Sequence, residues 1–480
     1  MTYLNRGVFA MSLANAVALI STIASYFFYS RLLTPAEFGL YAGALMVAKL
    51  GTTLLDGGLK TSLIKHHETV SETVLKGLFL ASSCAALVVL LLAGGALAIL
   101  VANEILAASS ATFFALYGAA YFTTYPFLFI PLAQLERDQH YSPVARSEAL
   151  SITIEYALPA ILWIFVAPGF WSFVVGAWLG RVLRSAMILQ AVKNNAAWLS
   201  RSTTPDWDGM RQLFREGIAL QLAVTVSMVR DSLHLIIVGP WFGKEWVGMY
   251  AWTLQLCGVA SQVFVQTATR VSLPALRLTQ GIESRWRATL IQIRWLTMLT
   301  APPLVFLTEL APVANRELFQ GKWVDALLIL PLLVARMLPG MATTPLGSLV
   351  LADRNARAFA LANAAWTTAE FITALLFLTL LGPIGLAWSY ALMAWIGVVF
   401  FIRQLPASVN FVEVISELLL RPSVWAAVVL TTFYSRLGAS LGKVSTLTEA
   451  ILWATIGMFC CLATEKSCRS WLVDRWHNRS

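Results

Sequence analysis

Two short stretches decide the fold: RLLTPAEFGLY, Arg31–Tyr41, and GKEWVGMY, Gly243–Tyr250. Gly39 and Tyr41 recur as Gly248 and Tyr250, each 209 positions later. Both phrases sit between two long apolar stretches, so both are turns of helical hairpins. The first has a local mechanism. Thr34-Pro35-Ala36-Glu37 reads as a capping box, in which Thr34 caps, Pro35 starts the helix and Glu37 reaches back to the free amide. In the second, Gly243 takes the cap position. Each phrase then writes Gly-X-Tyr, with the tyrosine expected at the outer membrane interface, where the amphipathic ring is favoured.

Working outward, the apolar stretches are long and many. Only 12% of the 480 residues are charged, about half the roughly 25% of soluble domains. Hydrophobic residues make up 58% of the chain and Trp occurs 18 times, more apolar surface than a soluble fold can hide. A helix needs about 20 apolar residues to cross the hydrocarbon core. Fourteen stretches qualify: 8–33, 38–63, 77–101, 105–133, 143–167, 169–193, 213–238, 245–270, 288–311, 323–350, 356–381, 383–405, 422–440 and 445–465. None has the short alternating signal of a membrane β-barrel. The first is too long for the roughly 7–15-residue core of a signal peptide, and no small-residue cleavage site follows it.

Loop charge orients the chain. With the N-terminus inside, 23 of the 34 Lys and Arg fall in cytoplasmic segments, 6 outside and 5 within spans. Both termini are then cytoplasmic, which requires an even number of helices. The excess over 25 Asp and Glu is loop bias rather than a nucleic-acid surface. The five cysteines, Cys84, Cys257, Cys460, Cys461 and Cys468, have neither disulfide-framework nor metal-ligand spacing, and His66-His67 is too isolated for a metal site. No P-loop is present, so no ATP hydrolysis is expected.

Six helices separate the two copies of the phrase. An even number keeps both halves in the same orientation, so the repeat is parallel, about an axis along the membrane normal. The expected architecture is an all-α polytopic membrane protein of about 14 helices, in two parallel pseudo-repeat lobes around a central cleft, a transporter plan. The N-terminal lobe covers 1–193, a cytoplasmic interfacial linker 194–212, the C-terminal lobe 213–405, and helices 13 and 14 with a tail 406–480. In the linker, Thr204 reads as a helix cap and Pro205 as the first helical residue. No loop is large enough for a folded domain.

The stretch YSRLLTPAEFGLYAGALMVAKLGTTLLDGGLKTSLIK, Tyr29–Lys65, resembles the opening of bacterial polysaccharide-biosynthesis transporters, the Wzx-type lipid-linked oligosaccharide flippases. VRDSLHLIIVGPWFGKEWVGMYAWTLQL, Val229–Leu256, resembles their midpoint. These belong to the multidrug/oligosaccharide-lipid/polysaccharide exporter superfamily. The resemblance is carried by the two repeat starts; the late helices match by hydropathy alone. It implies that helices 1, 2, 7 and 8 line the cleft, that Lys49 points a cation into it, and that Asp231 and Asp56 occupy the family's acidic positions.

Ionisable residues at membrane depth are costly and by default face the protein interior or water. Five cations qualify: Lys49, Arg181, Arg184, Arg230 and Arg336. All five are candidate substrate-binding groups, because a lipid pyrophosphate carries about two negative charges and a guanidinium or amine is its natural counter-ion. The bland alternative for Lys49 is a salt bridge, to Glu155 or Glu370 for instance, and for Arg336 a plain kink with the arginine paired to an acid. Arg181 and Arg184, three apart, share a helix face and either guide an anionic headgroup or snorkel to inner-leaflet phosphates. Arg336 lies among Pro331, Pro339-Gly340 and Pro345, which mark helix 10 as the broken one. Arg230 and Asp231, being adjacent, do not share a helix face. Glu155 and Glu370 are candidates for proton or sodium coupling. Gln262 and Gln266, four apart, either bond sugar hydroxyls or hold helices together.

The reading that follows is a flippase, not an enzyme, in the bacterial inner membrane. It moves an isoprenoid-pyrophosphate-linked oligosaccharide from inner to outer leaflet by alternating access. No cofactor or metal is expected; proton or sodium coupling is. The partners are the lipid-linked oligosaccharide, membrane lipids and a polysaccharide polymerase, and a monomer suffices because one chain supplies both lobes. The alternatives are an ion-coupled multidrug exporter of the same superfamily, favoured by an acid-dominated cavity, and a membrane polymerase or ligase, which needs a sizeable outer loop.

Overall fold

The computed structural model describes residues 3–65, 70–104, 106–138, 140–166, 169–192, 204, 206–353 and 356–405. Among these there is no strand. Fourteen helices follow in chain order: α1 (Tyr3–Leu32), α2 (Pro35–Asp56), α3 (Leu59–Lys65), α4 (Glu72–Ala102), α5 (Ala108–Arg137), α6 (Tyr141–Phe165), α7 (Trp171–Ala191), α8 (Trp207–Asp231), α9 (Gly239–Phe242), α10 (Lys244–Leu278), α11 (Ile282–Glu317), α12 (Val324–Asp353), α13 (Ala356–Leu381) and α14 (Gly385–Ile402). Each of the first twelve expected spans falls on helix, the second divided between α2 and α3 at Gly57–Gly58 and the seventh running from α8 into a π-helical turn. By length and composition, eight described stretches can cross a membrane, or nine with one bent pair. The chain is therefore a multi-pass membrane protein. Expected spans 13 and 14 lie outside the described residues.

Contact grouping gives two units. The first comprises Met1–Leu32 and Leu40–Met228, the second Leu33–Gly39 and Val229–Ser480. In the first, α5 packs on α4 and α7, and α6 on α7 and α1. In the second, α12 packs on α11 and α14, and α13 on α14. The pairings α4–α5, α5–α7 and α6–α7 thus return as α11–α12, α12–α14 and α13–α14, which is the sequence repeat expressed as packing. The hairpin α4 lies at the periphery of its unit: Leu87, Leu91, Leu92 and Ile99 are exposed, as suits a helix solvated by lipid. The second unit has α12 at its centre, with Leu346, Leu349 and Val350 buried against Trp286, Trp366 and Phe401.

The opening phrases explain their own conservation of shape. At Thr34 the capping box forms as written: Glu37 Oε2 accepts from the Thr34 amide at 2.8 Å, and Thr34 Oγ1 accepts from the Glu37 amide at 3.3 Å. Such a cap is worth about 1 kcal/mol. Gly243 takes the second cap position with φ at 87°, a left-handed conformation that a side chain would strain. The two repeated glycines meet. A Cβ on Gly39 would be driven into the Lys244 carbonyl oxygen and would stand 2.9 Å from the Gly248 nitrogen. A Cβ on Gly248 would be driven into the Pro35 carbonyl. Both tyrosine rings are buried rather than turned to lipid. Tyr41 packs among Tyr29, Tyr117 and Phe173, and the Tyr250 hydroxyl donates to the Pro383 carbonyl at 2.6 Å and accepts from the Ala387 amide at 2.9 Å. Packing claims both rings.

Two further expectations are corrected. Helix 10 is not broken: α12 runs unbroken through Pro331, Pro339 and Pro345. Prolines in a spanning helix are tolerated where neighbouring helices, Ser or Thr side chains or small local adjustments re-satisfy the freed backbone groups. The break falls instead in span 7, where α8 ends at Asp231 and the chain bends by 48° into a π-helical turn, His234–Val238. The linker helix is not separate either. Asp206, rather than Thr204, caps it, accepting from the Asp208 and Gly209 amides at 3.1 and 3.0 Å, and the helix that starts at Trp207 continues as α8.

Candidate functional site

In the fifth helix of each repeat a glutamate is buried, Glu155 on α6 and Glu370 on α13; Glu309 on α11 is buried as well. Glu155 and Glu370 are each the fifteenth residue of their helix. Around Glu155, Arg181 Nη2 lies 3.1 Å from Oε2. The Tyr121 hydroxyl donates to Oε1, and Tyr117 reaches the same oxygen at 3.4 Å. The Arg181 guanidinium also lies 3.8 Å over the Tyr121 ring. The carboxylate is 5% exposed, yet both oxygens are held, which a buried anion requires. Tyr29, whose hydroxyl donates to the Tyr156 carbonyl, closes the knot from α1. Arg184, one turn on, pairs with Glu148 at 3.7 Å rather than with Glu155.

Around Glu370 the same residue types return on exchanged helices. In the first unit the tyrosine comes from α5 and the arginine from α7. In the second the arginine, Arg336, comes from α12, and the tyrosine, Tyr390, from α14, with the guanidinium 4.0 Å over its ring. Arg230 joins from α8, lying 3.7 Å over the Trp366 ring and 3.4 Å from Asn363 Oδ1. Both arginines stand 4.0 Å from Glu370, which is 1% exposed. Neither oxygen of Glu370 has a hydrogen-bond partner among the described residues. Both arginines are held more closely by Asp231, at 2.7 Å from Arg336 and 3.5 Å from Arg230. Arg230 and Asp231, being adjacent, were not expected to share a helix face; Asp231 is the last residue of α8, and its carboxylate comes within reach of both arginines.

Tyr390 has a second task. Its hydroxyl accepts from the His234 amide at 3.1 Å, satisfying a donor at the start of the π-helical turn. The Tyr250 ring stacks on His234. Tyr390, Tyr121 and Trp366 carried no sequence signal, because a buried aromatic in an apolar span looks like any other core residue.

Lys49 stands apart. It is exposed, at mid-helix in α2, and among the described residues its side chain makes no ion pair. Glu155 and Arg181 are the charges that act on it. An ammonium at membrane depth by default faces a water-filled interior rather than lipid. Of the five cations expected to bind substrate, the structure ties four to acids and leaves Lys49 open. Gln262 and Gln266 lie on α10, but their side chains are outside the described residues, as are His66 and His67. Among the described residues no cluster suited to a metal ion occurs.

Two helical units on one plan, each with a charge cluster buried among its helices, make up a multi-pass membrane protein. Residues 28–328 match the family of polysaccharide biosynthesis proteins, and the chain belongs to it. The chain is 26% identical over 313 residues to the succinoglycan biosynthesis transport protein ExoT of Rhizobium meliloti, covering 63% of this chain and 60% of that protein. It is 22% identical over 242 residues to the teichuronic acid biosynthesis protein TuaB of Bacillus subtilis, covering 48% of each. The match thus spans less than two thirds of either relative. Among solved structures, the fold is similar to the lipid II flippase MurJ in an inward closed conformation, with a TM-score of 0.66 at 12% identity over 94% of this chain and 97% of that one. It is also similar to an inward-facing multidrug MATE transporter, with a TM-score of 0.57 at 15% identity over 81% and 94%.

Proposed function

We propose that this protein flips an isoprenoid-pyrophosphate-linked oligosaccharide from the inner to the outer leaflet of a bacterial cytoplasmic membrane, with both termini cytoplasmic. The observation that carries the reading is Lys49: an exposed cation at membrane depth whose side chain no described acid pairs. A pyrophosphate supplies the missing anion. The sugar follows the headgroup through a hydrated path while the isoprenoid tail stays in the bilayer, and the units rock in alternating access. No bond in the substrate is made or broken, so the protein acts as a carrier rather than an enzyme, and a separate polymerase consumes the flipped unit. A monomer is sufficient.

Arg230 and Arg336 serve the cycle indirectly. Their charges are already balanced by Asp231 and Glu370, so they hold the second knot rather than the headgroup. Coupling to a proton or sodium ion falls to Glu370 in preference to Glu155, because its oxygens have no hydrogen-bond partner to give up. One feature favours the second reading, a multidrug exporter: the Asp231 carboxylate is 57% exposed and would attract a cationic drug.

The test is deletion of the gene, with lipid-linked oligosaccharide quantified on each side of the membrane. The flippase reading expects surface polymer to fall and the lipid-linked unit to accumulate on the inner leaflet. Unchanged polymer with heightened sensitivity to cationic drugs would replace it with the exporter.

A further inference from the structure

The charge cluster of the second unit has an exposed end that its ion pairs do not use. Asp231 is the last residue of α8, at the break of a candidate span, where the chain bends by 48° into the π-helical turn. Its Oδ1 carries both contacts to arginine, at 2.7 Å from Arg336 Nη2 and 3.5 Å from Arg230 Nε. Among the described residues no ion pair or hydrogen bond falls on Oδ2, and the side chain is more than half exposed. The support lies behind it. The Arg230 side chain is buried and that of Arg336 nearly so. Arg336 lies over the Tyr390 ring, and Arg230 over the Trp366 ring with Nη1 toward Asn363 Oδ1. An exposed carboxylate ordinarily turns freely. This one is pinned through one oxygen to two cations that are themselves held against aromatic faces, so its other oxygen keeps a fixed direction.

Formal charges in the cluster cancel, Arg230 and Arg336 against Asp231 and Glu370. A balanced group pulls weakly on a distant ion of either sign. What remains is short-ranged and directional: a charge-assisted acceptor, roughly twice as strong as a neutral one. An ammonium or a metal ion that approached Oδ2 would meet two guanidinium groups directly behind the acid. A hydroxyl donor carries no charge for them to repel. An exposed ionisable residue in a span faces water by default, and a broken helix marks the region where a transporter holds its substrate.

We propose that Asp231 Oδ2 is a saccharide subsite, accepting hydrogen bonds from hydroxyl groups of the sugar that the isoprenoid pyrophosphate carries. This rests on the flippase reading and adds to it a group that reads the sugar, where Lys49 reads the pyrophosphate. A hydrogen bond to a charged acceptor discriminates between ligands that have the donor and ligands that lack it. Because the carboxylate is open to water, which takes the place of a missing hydroxyl, the effect falls at the low end for such bonds, about tenfold in affinity.

The experiment compares two probes on the purified full chain: a short-chain isoprenyl pyrophosphate, and the same lipid carrying one glucose or galactose. The native protein is expected to bind a sugar-bearing probe about tenfold more tightly than the bare pyrophosphate. Asp231→Ala should erase that ratio. Asp231→Asn, which keeps an oxygen for Arg336, should reduce it by a smaller factor and guards against a folding defect in the first variant. Glu370 remains as an acid beside both arginines in either case, and thermal unfolding is followed alongside. Lys49→Ala should weaken both probes alike and leave the ratio unchanged. A ratio unaltered in Asp231→Ala, or absent from a native protein that binds both probes, overturns the subsite and leaves the flippase reading standing. Binding of neither probe by the native protein overturns both, and Asp231-dependent binding of tetraphenylphosphonium would then assign the acid to a cationic drug.

Discussion

Glu155 and Glu370 sit buried at the same place in two copies of one helix, and they are treated differently. Glu155 is saturated, with one oxygen taken by Arg181 and the other by Tyr121 and Tyr117. Glu370 is surrounded by more charge but bonded to none of it, since Arg230 and Arg336 stand off at 4.0 Å and lean on the exposed Asp231. The difference teaches how a duplicated site divides its work. A fully satisfied buried ion pair is a fastener, because removing either member strands the other. A carboxylate whose neighbours already have another partner can change its state without undoing the fold. The exchange of arginine and tyrosine between helices keeps the cation over an aromatic ring in both units while freeing the acid in only one.

That contrast is open to direct attack, and the largest effect should come from the saturated knot. Arg181→Ala leaves Glu155 buried without its counter-ion and should cost about 3–5 kcal/mol. Thermal unfolding of the detergent-solubilised protein, or its failure to accumulate in the membrane, reads this. Next, Glu155→Gln removes a charge-assisted bond and should cost about 1.5–3 kcal/mol, whereas Glu370→Gln, which loses no hydrogen bond, should cost no more than about 1.5 kcal/mol. Transport should respond the other way round, falling in Glu370→Gln while the protein remains folded. Equal destabilisation by the two amides would erase the distinction between the sites. The smallest effect belongs to Tyr390→Phe, which keeps the ring under Arg336 but leaves the His234 amide unsatisfied, for about 1 kcal/mol. Hydrogen exchange confined to the π-helical turn would sharpen that assignment.

Much of the architecture was legible because hydropathy and capping are local properties. The Thr34 capping box follows from residues within one turn of one another, and the first twelve spans from runs of neighbouring residues. The break in span 7 was not legible. No proline marks Asp231–Leu233, and what stabilises the bend is a phenol 156 residues away, Tyr390, accepting the His234 amide. Conversely, the three prolines of α12 looked decisive and were overridden by tertiary packing around the most enclosed helix of its unit. At the charge clusters, the sequence identified which residues were costly at membrane depth but not their pairings. Arg184 with Glu148, and Arg336 with Asp231, depend on helices brought together only by the fold. Lys49 was singled out by the resemblance, but that it alone of the five cations has no acid partner among the described residues is a property of the fold.

The central claim is that Lys49 is the open cation that takes the pyrophosphate. The most direct measurement is the flipping rate of a fluorescent isoprenoid-pyrophosphate-linked sugar in vesicles reconstituted with the native protein, Lys49→Arg or Lys49→Ala. Loss of a charge-assisted contact worth about 1.5–3 kcal/mol corresponds to a drop of roughly ten- to a hundredfold. The account expects that drop in Lys49→Ala, near-native flipping in Lys49→Arg, and unchanged thermal stability in both. Native flipping by Lys49→Ala would contradict it and return the search to the paired arginines.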